Sequence, residues 1–255
     1  MEIRQWMARN WLKLNDSKTE FIVYGSKKNL DTITTKSVTV GDSTVAASDS
    51  VRSIGAVLES TLSLDKQVAA TCKSAWYHLY SISKIKKYIT ADQLKSVIHA
   101  YVTSRIDQNN SLLVGAPKKT LSRLQMVQNA SARLIMGLRK TDHITSALVH
   151  LHWLPVEKRC IFKLLLLVYK SLHGQGPEYL AELLDPYVPQ RTLRSSSEDK
   201  LCIPKCHYED TRRRAFSIRG PVEWNKLPQE IKSCSTVSSF KSQLKTYLFR
   251  LAYSV

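Results

Sequence analysis

The sequence predicts a mainly α fold with a small N-terminal antiparallel β region and a mixed C-terminal segment. Three observations predict it. Short apolar runs broken by Gly-Asp and single glycines occupy roughly the first 60 residues. From Leu64 onward, apolar residues recur every three or four positions, the spacing of one helix face. Pro117, Gly137, Pro155 and Gly174 then stand where helices start and stop. With 255 residues, 43% hydrophobic and 23% charged, the chain can bury a core and does not read as disordered.

The elements follow in order. Ile3, Met7, Trp11 and Leu14 have helical spacing. Phe21 to Tyr24, ahead of Gly25, reads as a short strand. Val38 to Val40 and Thr44 to Ala46 flank Gly41-Asp42 and read as a hairpin, the glycine-first order suiting a type II′ turn. Val51 to Leu58 reads as one further strand. Leu64, Val68, Cys72, Ala75, Leu79 and Ile82 then make an apolar stripe. Thr90 and Gln93 match a capping box, with Leu94, Val97, Ile98, Tyr101 and Val102 on one face beyond it.

Pro117 opens a helix with Leu121, Leu124, Val127, Leu134 and Leu138 on its buried side, and Gly137 ends it. Pro155 opens the next, with Ile161, Leu164, Leu165, Val168, Tyr169 and Leu172 inward. Pro177 to Leu184 is a short helix, and Pro186 to Lys200 the best linker. Val237, Phe240, Leu244, Leu248 and Leu251 mark a final helix. These breaks divide the chain at 1–60, 61–142, 143–185 and 186–255.

A net charge of +17 favours a polyanionic partner. Residues 1–110 hold +5 of it and residues 111–255 hold +12. Nucleic acid leads, anionic membrane comes second, and a solvated surface is the neutral alternative. Five cysteines make no even disulfide framework and point to reduced thiols. No signal peptide opens the chain, and the apolar run Leu164 to Tyr169 is far short of the roughly 20 residues a membrane span takes. The expectation is an intracellular protein, nuclear or cytoplasmic, that is neither secreted nor membrane-bound.

Chemical motifs are sparse. Cys202, Cys206 and His207 supply three ligands where a structural zinc site takes four; His143, His150 and His152 are a second set. No metal is expected. There is no glycine-rich phosphate loop and no Gly-x-Ser-x-Gly elbow. Basic residues cluster at Lys84, Lys86 and Lys87, at Lys118, Lys119 and Arg123, at Arg139 and Lys140, and at Arg212, Arg213 and Arg214. Phe216 and Trp224, close to the last cluster, read as core residues rather than stacking platforms.

One ordered series of motifs is specific. Leu151-His152-Trp153-Leu154-Pro155-Val156-Glu157-Lys158-Arg159 is preceded by Ser104-Arg105-Ile106-Asp107 and by Arg123-Leu124-Gln125-Met126-Val127-Gln128-Asn129-Ala130. Arg214-Ala215-Phe216-Ser217, Trp224-Asn225-Lys226-Leu227-Pro228 and Phe240 to Phe249 follow it, and Trp11-Leu12-Lys13-Leu14-Asn15 precedes everything. Over nearly the whole chain this resembles the C-terminal region of reverse transcriptases of non-LTR (LINE-type) retrotransposons. Gln108-Asn109, Val114 and the arginines at 212–213 depart from the family pattern.

The resemblance implies a palm remnant with a primer-grip-like hairpin over 1–60, a helical thumb over 61–142, connecting helices over 143–185 and a linker with a mixed domain over 186–255. The family's RNA-directed DNA synthesis uses an aromatic-x-Asp-Asp turn holding magnesium. This sequence contains no Asp-Asp pair. A C-terminal piece beginning just after that turn is therefore expected, with no catalytic residue, no cofactor and no polymerase activity of its own. By the resemblance Lys18 and Arg52 join the basic clusters as contacts to a nucleic-acid backbone, without base reading. Its partners would be RNA or DNA and the palm and fingers of the same polyprotein. The rival expectation is a helical protein-interaction module retained by the host.

Overall fold

Helix caps and tight turns decide where the elements begin. The computed structural model describes residues 3–13, 15, 18–41, 43–188, 199–205 and 212–254, apart from the side chains of Arg4 and Arg212. The chain divides into two units, Met1–Gln67 and Val68–Val255.

In the first unit, α1 spans Ile3–Arg9 and α2 spans Lys27–Thr32. Ser26 caps α2 by accepting from the Asn29 N–H at 3.3 Å. Strands β1 (Ser37–Val40) and β2 (Ser43–Ala46) pair antiparallel across Gly41-Asp42, and Gly41 takes φ +63° as the turn requires. Two sequence expectations change. Phe21 to Tyr24 forms no strand; Phe21 makes one isolated parallel bridge to Ala47. Residues 51–58 are not one strand but a second hairpin, β3 (Ser50–Ser53) and β4 (Ala56–Glu59). Its two loop residues, Ile54 and Gly55, both have positive φ, +47° and +79°, which turns the chain tightly. A β-branched residue seldom adopts that conformation.

The second hairpin fastens the start of α3 (Asp65–Ile85). The buried Glu59 carboxylate accepts from the Ser63 hydroxyl at 2.9 Å and the Lys66 N–H at 3.0 Å. A carboxylate there satisfies orphan donors and complements the positive end of the helix. The Gln67 amide oxygen accepts from the Val57 N–H at 2.8 Å.

All six positions of the expected stripe from Leu64 to Ile82 are buried, and those from Val68 on belong to the second unit. The capping box of Thr90 and Gln93 opens α4 (Ala91–Ile98). One wide π turn, His99–Thr103, carries α4 into α5 (Ser104–Asp107). A 3-10 turn, Asn110–Leu113, precedes α6 (Lys118–Met136), which ends at Gly137 with φ +67°. Then come α7 (Thr145–His150), α8 (Val156–Leu172), α9 (Glu178–Ala181), α10 (Phe216–Trp224), α11 (Gln229–Lys232) and α12 (Val237–Tyr253). Most of the expected linker lies outside the described residues; one bridge, Pro186 to Leu201, flanks it.

Helix α8 is central and packs against α5, α6, α9, α10 and α12. Its Tyr169 ring stacks on Phe240 at 4.1 Å between centroids and donates its hydroxyl to the Cys234 carbonyl at 2.6 Å. Trp224 is fully buried beyond Phe240, and its indole N–H donates to the Asp199 carbonyl at 2.9 Å. The turn Leu151–Val156 is tied from two helices. Gln125 of α6 accepts the Val156 N–H at 2.8 Å, and buried Gln128 donates to the Leu154 carbonyl at 2.8 Å. Tyr253 of α12 donates to the Trp153 carbonyl at 2.6 Å. Replacing Gln128→Leu strands the Leu154 carbonyl and is expected to cost about 1–3 kcal/mol. A denaturation midpoint that falls at constant m-value is the expected result; an unchanged midpoint would refute the role.

Candidate nucleic-acid interface

Helix α3 carries two opposite faces. The stripe from Val68 to Ile82 is buried, while Lys73, Tyr77, Tyr80, Lys84, Lys87 and Tyr88 line the exposed side through the end of the helix and the turn after it. The steps from Lys73 through Tyr77, Tyr80 and Lys84 to Lys87 are three or four residues, which keeps them on one face, and Tyr88 follows in the turn. Tyr77, Tyr80 and Tyr88 are 68%, 63% and 75% exposed. The Lys84 ammonium stands 4.4 Å from the Tyr80 ring centroid, and Lys87 stands 4.8 Å from that of Tyr88. Such contacts fix long side chains without burying their charge. Tyr77 also meets His78 edge-on at 5.3 Å, and His78 meets Tyr101 at 5.6 Å. Partial burial, then the nearby Arg105 guanidinium, lowers the His78 pKa.

The expected basic residues do not act alike. Lys84 and Lys87 belong to the exposed face. Lys86 turns inward and donates to the Leu134 carbonyl at 2.7 Å, near the negative end of α6. Lys118, Lys119 and Arg123 are exposed on α6. The first turn of α6 holds no acid, so two lysines sit at the positive pole of a helix, an unfavourable place that an anionic partner would offset. Arg123 lies close enough to Cys72 of α3 to lower its pKa, against the larger upward effect of burial.

Arg139 pairs with Asp142 at 3.4 Å and stays exposed, as does Lys140. Lys18 and Arg52 are exposed in the first unit, Arg52 on the strand leading to the Ile54-Gly55 turn. The cluster 212–214 is not one open patch. Arg213 is exposed, but Arg214 is half-buried with its Cγ packed over Gly115, and the Arg212 side chain lies outside the described residues. Nearby, the buried Glu223 carboxylate takes Arg219 at 2.7 Å and Lys226 at 3.0 Å.

The three tyrosines of α3 were not among the expected contacts. Their signal was legible as aromatics opposite an apolar stripe, but attention to charge alone passes over them. Tools for bond-making chemistry are sparse. Among the described residues no group of three His, Cys, Asp or Glu is placed to hold a metal ion, and Cys206 and His207 lie outside those residues. Burial, reinforced by the Asp107 carboxylate, pushes the Cys160 thiol up to about 12, which removes it as a nucleophile at neutral pH. Cys72, Cys160, Cys202 and Cys234 are free thiols. No helix among the described residues is long and apolar enough to cross a membrane. No family model, curated protein or solved structure matches this chain.

Proposed function

We propose that this chain is the C-terminal part of a non-LTR retrotransposon reverse transcriptase, and that it holds RNA or DNA by the backbone without reading sequence. The exposed lysine–tyrosine face of α3 is the observation that carries the reading. Ammonium groups neutralise phosphates, and tyrosine rings offer every base a stacking surface regardless of its identity. With no Asp-Asp pair in the sequence, the chain does not polymerise alone.

A salt titration tests this. Each phosphate neutralised contributes about −0.9 to the slope of log affinity against log salt on duplex DNA. Lys84→Gln with Lys87→Gln should flatten that slope by about 2, equally on unrelated sequences. An unchanged slope would remove α3 from the interface. In parallel, primed RNA with nucleotides and magnesium should give no extension; template-dependent synthesis would overturn the reading.

A second reading has its own observation. In the Met1–Gln67 unit Ile3, Trp6, Trp11, Leu12 and Ile54 are exposed, and among the described residues each sheet has two strands. Apolar side chains and open strand edges of this kind suit a protein partner. Absence of nucleic-acid binding at low salt would favour it.

A further inference from the structure

Three helices contribute permanent cations to the lining of one pocket. Lys95 comes from α4, with His99 of the following π turn one helical turn on; Arg159 and Lys163, likewise one turn apart, come from α8, and Lys245 from α12. The pocket encloses about 310 Å³, a size that suits a small ligand rather than a duplex. Its floor contains Trp153 and the buried Asn110.

The charge in this pocket is unbalanced. Asp107 is the one carboxylate in its lining. Arg159 grips it with two guanidinium nitrogens, and Asn110 donates to it at 3.0 Å. That pair is closed upon itself. The ammonium groups of Lys95, Lys163 and Lys245 remain around the opening without a counter-charge from the lining. The His99 ring, edge-on to Trp153 at 5.4 Å, reports the same field. Its pKa is lowered first by burial, then by Arg159 and Lys95 with a smaller effect of Lys245, against the opposing pull of Asp107.

A second cavity of about 480 Å³ adjoins the first, and the two share His152 and Lys245. Its lining sets two rings among Lys245, Thr246 and Arg250: Phe249 lies 5.8 Å from His152 between ring centroids. His152 is held outward by a left-handed backbone, φ +52°, at the tied Leu151–Val156 turn. One end of the groove thus suits a compact dianion, and the other a flat ring.

We propose that this groove binds a terminal nucleoside phosphate. The phosphomonoester sits among Lys95, Lys163 and Lys245, and the base lies against His152 and Phe249. A phosphomonoester carries close to two negative charges at neutral pH, more than a phosphodiester link, and therefore matches a three-ammonium pocket better than a strand's interior does. The shared chemistry has two sources, a free nucleotide or the phosphorylated end of a single strand. The site stands whether or not α3 holds a backbone.

Calorimetry on the full chain tests it, with adenosine 5′-monophosphate, adenosine and inorganic phosphate as probes. The monophosphate should bind saturably and more tightly than either part alone. Lys163→Gln with Lys245→Gln, both exposed and remote from the core, should weaken it at least about tenfold. His152→Asn, which keeps a residue tolerant of positive φ, should weaken the monophosphate but not inorganic phosphate. In NMR titrations, bound monophosphate should raise the His99 pKa. Competition by a 5′-phosphorylated oligothymidylate but not its 5′-hydroxyl form would identify the strand end as the source; failure of both to compete would identify the free nucleotide. Equal affinity for adenosine and its monophosphate, no saturable binding, or an unchanged affinity in the double lysine variant would overturn the proposal. Tyr77→Ala with Tyr80→Ala should leave monophosphate affinity intact; its loss there would deny that the two sites are separate.

Discussion

Replacing Phe240→Ala is expected to destabilise the Val68–Val255 unit by about 3–5 kcal/mol. The ring is fully buried, stacked on Tyr169 at 4.1 Å and facing Trp224 at 6.1 Å. Deleting it removes a large apolar group and leaves a void between two rings that cannot both move. Tyr169 is anchored by its hydroxyl on Cys234, and Trp224 by its indole on Asp199. The void therefore stays open, which places the cost at the upper end of core truncations. Against a total stability of roughly 5–15 kcal/mol, the melting point should fall by about 10 °C or more. Phe240→Leu refills much of the volume and should lose less. A loss under about 1 kcal/mol for the alanine variant would mean that α12 does not close this core.

That core was legible because its signals are local. Pro117, Pro155 and Gly137 each act within one helical turn, and the buried stripe from Leu64 to Ile82 repeats with the helix period. The second hairpin was not legible in the local pattern, since Ile54-Gly55 lacks the Asn-Gly chemistry that usually marks such a turn, although the resemblance to non-LTR reverse transcriptases implied a hairpin over Val51 to Leu58. Its conformation is imposed by the pairing of Ser50–Ser53 with Ala56–Glu59. Phe21 to Tyr24 has strand composition but only one bridged partner, at Ala47, and composition cannot supply a neighbour. Positive charge is likewise visible in sequence, yet Lys86 and Arg214 looked equivalent to Lys84 and Arg213. Only tertiary contacts with Leu134 and Gly115 separate them. The pocket of α4, α8 and α12 joins residues up to 150 positions apart, from Lys95 to Lys245, and no local pattern announces it.

The second large effect concerns the tyrosines. Tyr77→Ala, Tyr80→Ala and Tyr88→Ala together should reduce affinity for single-stranded nucleic acid by roughly a hundredfold at fixed salt. Base–aromatic stacking contributes about 1–3 kcal/mol per base. The low end applies here, because Lys84 and Lys87 already stand against two of the rings. Tyr80 and Tyr88 lie eight residues apart, five of them in α3 and three in the 3-10 turn, a rise of roughly 13 Å that neighbouring extended nucleotides can bridge. Removing rings should leave the salt slope nearly unchanged, whereas removing lysines flattens it. Fluorescence anisotropy on a single-stranded and a duplex probe separates the two. Equal losses on both probes would show that the rings touch no base, since duplex bases are already stacked.

The hydroxyl of Tyr253 on the Trp153 carbonyl joins residues 100 positions apart. During synthesis the Leu151–Val156 turn and the α8 face that receives Phe240 emerge long before their partners. Until α12 leaves the ribosome, Tyr169 has no cover from Phe240. Helix α8 must wait as an open, sticky surface for the time of some 80 further residues, several seconds at ordinary elongation speeds of about 5–20 residues per second. Transiently exposed apolar surface of this kind favours aggregation, so a chain cut ahead of Val237 is expected to be less soluble than one that includes α12.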